Sequence, residues 1–549
     1  MPVSAESGRA ARTVPAPQAG GERETLRLAH DEIQQRAADA LANIRCPVAI
    51  VSTPGGPVPL LLDAEGGWPR GTDPRSVLAV LPPLFPEWLG DRSFLAAHAV
   101  RFPYAIGEMA RGIATPAMVI AGVRAGVMAF YGSAGLRLDE IERGIGEIHA
   151  ALGRKSAVWG ANLIHSPQEP GLELATTDLF HRLGVQRVSA SAFMRLQPAI
   201  VWFAAKGLMR DPGGGIVRAG RIIAKVSRVE VARQFLSPPP EAMLRELRTA
   251  GRLTEEEAQL AARIPVAEDV TAEADSGGHT DNRPLTVLLP ALLSLRDELT
   301  RSHAYTITPR IGAAGGIGTP AAVAAAFAAG AAYVVTGSVN QSAVESGLSA
   351  NARALLAEAD STDVAMAPAA DMFEMGVKVQ VLKRGTLFAQ RGAKLSEFFR
   401  RHTSIEDAPP EDVRDIEQNV LGRSVAEIWA DTQAHFLQAD PAQIERARRD
   451  GKHRMALIFR WYLFMGAQWA REGVEERRSD YQIWCGPAMG AFNAWAKDSF
   501  LAPIESRSVA QIALNLMEGA ATVTRAGQLR SAGVALPPSA FDFRPRPLS

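Results

Sequence analysis

Residues 311–339 read IGAAGGIGTPAAVAAAFAAGAAYVVTGSV. An apolar run ends in a glycine turn, an alanine-rich helical stretch follows, and a second apolar run ends in another glycine turn. That is a strand, a crossover helix and a second strand, the repeating unit of a parallel α/β fold. The alanine-rich part, residues 321–335, falls short of the roughly 18 apolar residues a membrane span requires. It reads as a buried helix running into a strand.

The same alternation extends outward from this unit, beginning near residue 104. Strands are predicted at 105–109, 126–131, 157–164, 185–190, 222–226, 270–275, 308–313 and 333–337, with helices such as 139–152 and 319–329 between them. Eight parallel strands with crossover helices are what a closed (β/α)₈ TIM barrel contains. A doubly wound open sheet has the same periodicity and is the competing α/β fold.

The predicted organisation has four parts. Residues 1–25, rich in Ala, Pro, Gly and Arg with no apolar run, read as a disordered leader without a signal peptide. Residues 26–100 form a small N-terminal α/β unit, 101–395 the barrel, and 396–549 a C-terminal helical domain. Two excursions interrupt the barrel. Residues 199–221 suggest a hairpin, and 229–265 suggest two charged helices joined by a glycine turn, placed where a lid can form over the catalytic face.

Composition narrows the function. The 549 residues are 47% hydrophobic and 21% charged, and 59 basic side chains balance 59 acidic ones. No basic excess points to nucleic acid or to a membrane surface. Cys46 and Cys485 match no metal-ligand spacing, no metal site is expected, and such sparse cysteine suits a reducing cytoplasm.

Chemistry concentrates at the predicted strand ends. Loops after the seventh and eighth strands of a barrel commonly hold phosphate, because glycine lets the backbone N–H groups approach an anion. Gly315, Gly316, Gly337 and Ser338 therefore suit the phosphate of a mononucleotide, with plain tight turns as the alternative. A dinucleotide fingerprint fits poorly, since no acidic residue follows a first strand at the right distance.

At the end of the sixth strand stands Asp275-Ser276-Gly277-Gly278-His279. Gly277 and Gly278 admit a planar ligand close to the backbone. His279 then reaches the barrel mouth, where imidazole can donate a hydrogen bond or move a proton near neutral pH. Lys225, within the apolar run IIAKVS, must face an anion or a polar mouth, or pair with a carboxylate such as Asp275. Asn162 ends the third strand with an amide that both donates and accepts. Ser189 on the fourth strand is a further cofactor candidate, and the turn Met109-Ala110-Arg111-Gly112 offers backbone to the same ligand.

Taken together these residues resemble the nitronate monooxygenase and enoyl-reductase class of FMN barrels. In that class a methionine turn follows the first strand, an asparagine the third and a Gly-Gly-His the sixth. A lysine lies on the fifth strand, and paired glycine loops close the phosphate site. Met109, Asn162, Gly277-Gly278-His279, Lys225, Gly315-Gly316 and Gly337-Ser338 match. Asp275 stands where the family usually has glutamate, and Ser338 where it often has threonine. From about residue 45 to 545 the chain resembles the PfaD family, free-standing enoyl reductases of polyunsaturated fatty acid and trans-acyltransferase polyketide synthases. EADSGGHTDNRPL, TGSVNQ, AADMFEMGVKVQVLKRGTLFAQRG and IWCGPAMGAFNAW carry that likeness.

The resemblance implies FMN recharged by NADPH, and hydride delivery to the β-carbon of an enoyl thioester on acyl carrier protein. It gives His279 and Lys225 catalytic roles. His279 acts on the enolate side, with solvent as the alternative proton donor. Lys225 and Asn162 hold the flavin. A nitronate monooxygenase, or a non-catalytic synthase component with a vestigial site, are the rival functions. The aromatic stretch 459–469 (FRWYLFMGAQW) reads as helical core or as a docking face. Arg391, Lys394, Arg400 and Arg401 read as a solvated helix face or a contact for an acidic carrier protein.

Overall fold

The computed structural model describes residues 21–549 apart from 64, 70–71, 157 and 167–169. Contacts divide the chain into two units, one of residues up to 85 with 522–543, the other of 86–521 with 544–549. The sequence places boundaries near 100 and 395 instead. Residues 396–521 fall in the same unit as the barrel, whereas 522–543 fall in the smaller one.

In the smaller unit the helix Gly21–Ala42 accompanies an antiparallel sheet of Gly56–Leu61, Val48–Thr53 and Val77–Leu81, in that order. Helix therefore begins inside the stretch expected to be a disordered leader, whose first 20 residues lie outside the described ones. Ile33, Ala37, Val48, Ile50, Leu529 and Val534 share this unit's core.

The larger unit contains the barrel. Its strands are β1 Tyr104–Ile106, β2 Met128–Tyr131, β3 Trp159–Ile164, β4 Arg187–Ser191, β5 Arg221–Val226, β6 Asp269–Glu273, β7 Arg310–Ala314 and β8 Val334–Thr336. They pair in sequence order, all parallel, and β8 returns to β1 to close the sheet. All eight overlap the predicted strands, and closure rules out the open sheet. Most of these strands are buried along nearly their whole length, as parallel strands covered on both faces must be. The stretch 321–335 forms the helix Pro320–Ala328 and enters β8. Among the described residues no helix is long and apolar enough to cross a membrane.

The expected hairpin forms between Met209–Arg210 and Ile216–Val217. The expected lid does not. Val229–Phe235 is the helix that follows β5, while Glu241–Thr249 and Glu255–Ala261 lie against the flanking helix Pro198–Ala205. Apolar Leu244, Leu247, Ala258 and Leu260 are buried there, which ties both helices to the side of the barrel. A short antiparallel sheet outside the barrel joins Gly278–His279, Lys378–Leu382 and Val364–Pro368.

Candidate active site

The C-terminal ends of the barrel strands open into a cavity of about 700 Å³. Its floor is barrel. Its roof comes from Val425–Ala439 and Gly451–Glu472, through residues such as Phe436, Leu457, Trp461 and Phe464. The aromatic stretch therefore divides along the helix. Phe459, Tyr462, Leu463 and Trp469 are buried, whereas Phe464 is 50% exposed and faces the cavity with Trp461. The Arg111 guanidinium lies over the Phe464 ring at 3.7 Å, and its Nη1 donates to the Phe464 carbonyl at 3.1 Å.

The glycines at the mouth do two different jobs. A Cβ on Gly315 (φ +86°) would strike the Ala274 backbone at 2.6 Å, and one on Gly277 would strike Cys485 at 2.8 Å. There glycine allows two backbones to touch. Gly316 and Gly337 instead have nothing within 4 Å of a built Cβ, although both line the cavity. The N–H groups of Gly316, Ile317 and Gly337 donate to no backbone carbonyl among the described residues. Open space beside free N–H donors is what an anionic group needs. Ser338 Oγ accepts from the Gly486 N–H at 3.0 Å, fastening the Trp484-Cys485-Gly486 segment to the same corner.

Lys225 pairs with Glu273 at 2.8 Å and with Glu108 at 3.1 Å, not with Asp275. Burial alone would push its ammonium down, but the two carboxylates overcome that and hold it above the ordinary lysine range. Two negative charges around one positive charge also mean that Lys225 is no free cation awaiting a ligand. The remaining oxygen of Glu108 is shielded from solvent and has no hydrogen-bond partner among the described residues; the same holds for Ser276 Oγ and Gln341 Oε1. All three side chains line the cavity.

Asn162 is buried, and its Nδ2 donates to the Ser189 carbonyl at 3.1 Å and to Ser191 Oγ at 2.9 Å. Both donors are spent, so only Oδ1 is left for a ligand. Ser189 and Gly112, both candidates from the sequence, do not line the cavity; Met109 and Ala110 do. Ser189 is buried two residues below Ser191 on the same face of β4, one layer deeper in the barrel than the cavity-lining Ser191. Asp275 lines the cavity, but its Oδ1 accepts from Gln380 Nε2 and Asn282 Nδ2, both at 2.8 Å. It shapes the loop.

His279 lines the cavity with Nε2 3.3 Å from Asp371 Oδ1. Burial alone would lower its pKa. Contact with Asp371, aided by the charge of Glu273, more than offsets this and leaves it raised. Burial works the other way on Asp371, yet His279 and Arg460 hold its carboxyl below the usual range. Glu108, Glu273, Gln341, Asp371 and Gln380 were missed by the motif reading. Glu108 directly precedes Met109, and Glu273 sits two residues before Asp275, on the strand face shared with Thr271. Asp371 and Gln380 lie inside AADMFEMGVKVQVLKRG, read only as a family mark.

Of the four basic residues suspected of carrier contact, Arg391 pairs with Asp480, Lys394 with Asp415 and Arg401 with Glu397. Arg400 is exposed.

A closed parallel barrel with these groups at its C-terminal mouth defines the class, a (β/α)₈-barrel oxidoreductase. The enoyl reductase domain of MlnA, from the macrolactin cluster of Bacillus amyloliquefaciens, has a similar solved structure. It shares 36% identity and a TM-score of 0.77, over 81% of this chain and 99% of that domain. The chain belongs to the same family, the PfaD-type enoyl reductases of polyunsaturated fatty acid and polyketide synthases.

Larger proteins carry similar sequence. One polyunsaturated fatty acid synthase polypeptide of Thraustochytrium sp. is 44% identical over 450 residues, 81% of this chain and 30% of that protein. The polyketide biosynthesis protein PksE of Bacillus subtilis is 44% identical over 431 residues, 78% of this chain and 56% of PksE. This chain thus spans less than two thirds of either. Residues 402–481 match the family model for the inserted helical domain of [acyl-carrier-protein] S-malonyltransferase, and this is the segment that roofs the cavity.

Proposed function

We propose that the chain is an FMN-dependent enoyl reductase that uses NADPH to saturate α,β-unsaturated thioesters on acyl carrier protein, in the cytoplasm, during polyketide or polyunsaturated fatty acid synthesis. The observation that carries this reading is the cavity itself, where open glycine corners and unpartnered buried polar atoms lie together with a histidine 3.3 Å from a carboxylate. Those features fit a mononucleotide with a polar ring edge. Gly316, Gly337 and Ser338 would hold the phosphate, and Met109, Ala110 and Asn162 Oδ1 would bound the ring. Bound FMN, reduced by NADPH, supplies the hydride. The protein's part is to exclude water under the roof helices, orient the thioester and supply a proton. Lys225, with its charge already answered, keeps Glu108 and Glu273 in place in the cavity wall, where they would border the bound flavin.

The test is an anaerobic cycle. The purified protein should show a flavin spectrum, bleach with NADPH, and recover its colour when a crotonyl carrier protein is added, with butyryl product. If the reduced protein ignores the thioester while the oxidised protein consumes a nitronate, the chain is a nitronate oxidase. A protein that cannot be loaded with FMN is a non-catalytic synthase component.

A further inference from the structure

His279 is held by two elements that no cofactor motif includes. Its backbone pairs with Val379, and Gly278 pairs with Gln380, in the small sheet outside the barrel. Gln380 Nε2 also donates to the Ser276 carbonyl at 2.9 Å, so the whole Asp275–His279 loop is fastened to that strand. Gly278, at φ +81°, provides the reversal that brings the loop back. The turn leading into the same strand carries Asp371, whose carboxylate meets His279 Nε2 at 3.3 Å. Nε2 is shielded from solvent and has no aligned hydrogen-bond partner among the described residues; the Asp371 carboxylate, 3.3 Å away, lies within ion-pair range of it. Nδ1 likewise makes no hydrogen bond among the described residues.

Charges on the surrounding elements favour this pair. Glu273, at the end of β6, acts on His279 in the same sense as Asp371, and is itself tied to Lys225 at 2.8 Å. On the roof, Arg460 faces Asp371 and also lies 3.6 Å from Glu374. The positive charge of Arg460 helps to keep the Asp371 carboxyl ionised.

We infer that Asp371 is a positioning residue for reduction: it takes Nε2 of His279 and thereby leaves Nδ1 to give a proton to the α-carbon of the enoyl thioester. This rests on the enoyl-reductase reading above. Once a hydride has formed the new C–H bond at the β-carbon, the π pair of the double bond moves onto the α-carbon and thioester oxygen as an enolate. The Nδ1 proton then forms the α-carbon C–H bond. His279 is left as neutral imidazole, with Nε2–H still on Asp371, and solvent returns the lost proton. The arrangement is that of a histidine whose tautomer is fixed by a carboxylate.

Asp371→Asn tests it in the full-length, FMN-loaded protein. Two readouts are needed. The first is the titration of His279 by NMR in ring-labelled protein, which needs no turnover; the variant should titrate about one pH unit or more below the parent. The second is the rate at which crotonyl carrier protein reoxidises the reduced protein across pH. That rate should fall at least about tenfold near pH 7.5, its alkaline limb moving down with the titration, while FMN content and NADPH reduction stay unchanged. Asp371→Glu should restore part of both. An unchanged titration in Asp371→Asn overturns the inference, as does an unchanged pH profile while thioester is still reduced. If the parent itself ignores the thioester, the enoyl-reductase reading fails, and an unshifted titration would then overturn the pairing separately.

Discussion

The two ends of the barrel treat buried polarity in opposite ways. At the N-terminal end Asp269, first residue of β6, accepts from Arg310 Nε at 2.6 Å and Nη2 at 2.8 Å. Its other neighbour is His98, 2.9 Å away through Nε2, and Arg187 Nε donates to His98 Nδ1 at 2.9 Å. Because Nδ1 accepts, the His98 proton is on Nε2 and the ring is neutral, in keeping with a pKa lowered by burial. None of these four side chains leaves a buried polar atom unanswered. At the C-terminal end Glu108, Ser276 and Gln341 each do. Buried polar atoms are nearly always paired, so a closed network marks a structural end and an open one marks where a ligand completes it.

The closed end should break hardest. Asp269→Ala strands Arg310 in the core without its bidentate partner, and removing one member of such a pair costs about 3–5 kcal/mol. The expected outcome is that loss in urea unfolding at pH 7. Burial alone would raise Asp269, but His98 and Arg310 drive it far below the carboxylate range. A depressed pKa contributes stability above the unfolded value, about 3.9, and loses it as pH falls toward the folded one. The gap between parent and variant should therefore narrow in acid. A cost below about 1 kcal/mol at pH 7 would show that the network does not anchor the fold.

Much of this was legible from the chain. Strand–glycine–helix spacing is local, and it placed all eight barrel strands. Gly315, Gly316, Gly337, Asn162, Lys225 and His279 do meet in one cavity. What stayed hidden depended on distance along the chain. Lys225 finds Glu108 across 117 positions and His279 finds Asp371 across 92, by the arithmetic of their numbers. No local pattern encodes such pairs. The roof was misassigned for a related reason: the 229–265 helices sit at a strand end, but their apolar faces choose the barrel's flank. One local signal does foretell the closed end. Four successive strands, β4 to β7, begin with Arg187, Arg221, Asp269 and Arg310, an ionic ring at one end of the sheet.

Lys225→Met breaks the open end less severely. It leaves Glu108 and Glu273 facing each other across the site without the ammonium between them. Like charges held together raise a carboxyl pKa, and a raised folded value favours the protonated, low-pH state. The variant should lose about 1–3 kcal/mol at pH 8 and recover most of it by pH 5, the opposite pH trend to Asp269→Ala. Thermal unfolding of both variants against pH reads the contrast directly. A loss independent of pH would mean that the carboxylates had swung apart into solvent.

The smallest expected change in stability gives the sharpest test of what the open end is for. Gly337 has φ −120°, outside the left-handed region that favours glycine, and its added methyl would meet no atom within 4 Å. As a plain turn residue it should tolerate Gly337→Ala within about 0.5 kcal/mol. As one wall of a phosphate cradle it should not, because the methyl would occupy the space that an anion needs beside the N–H groups. The expected result is an unfolding curve overlying that of the parent, with FMN affinity reduced at least about tenfold, or about 1.4 kcal/mol. Gly315→Ala is the control, since its methyl collides with the Ala274 and Asp275 backbones at 2.6–2.8 Å and must cost stability whether or not FMN binds. Equal FMN affinity in Gly337→Ala and the parent would reduce the glycine corner to a turn and move the anion site elsewhere in the mouth.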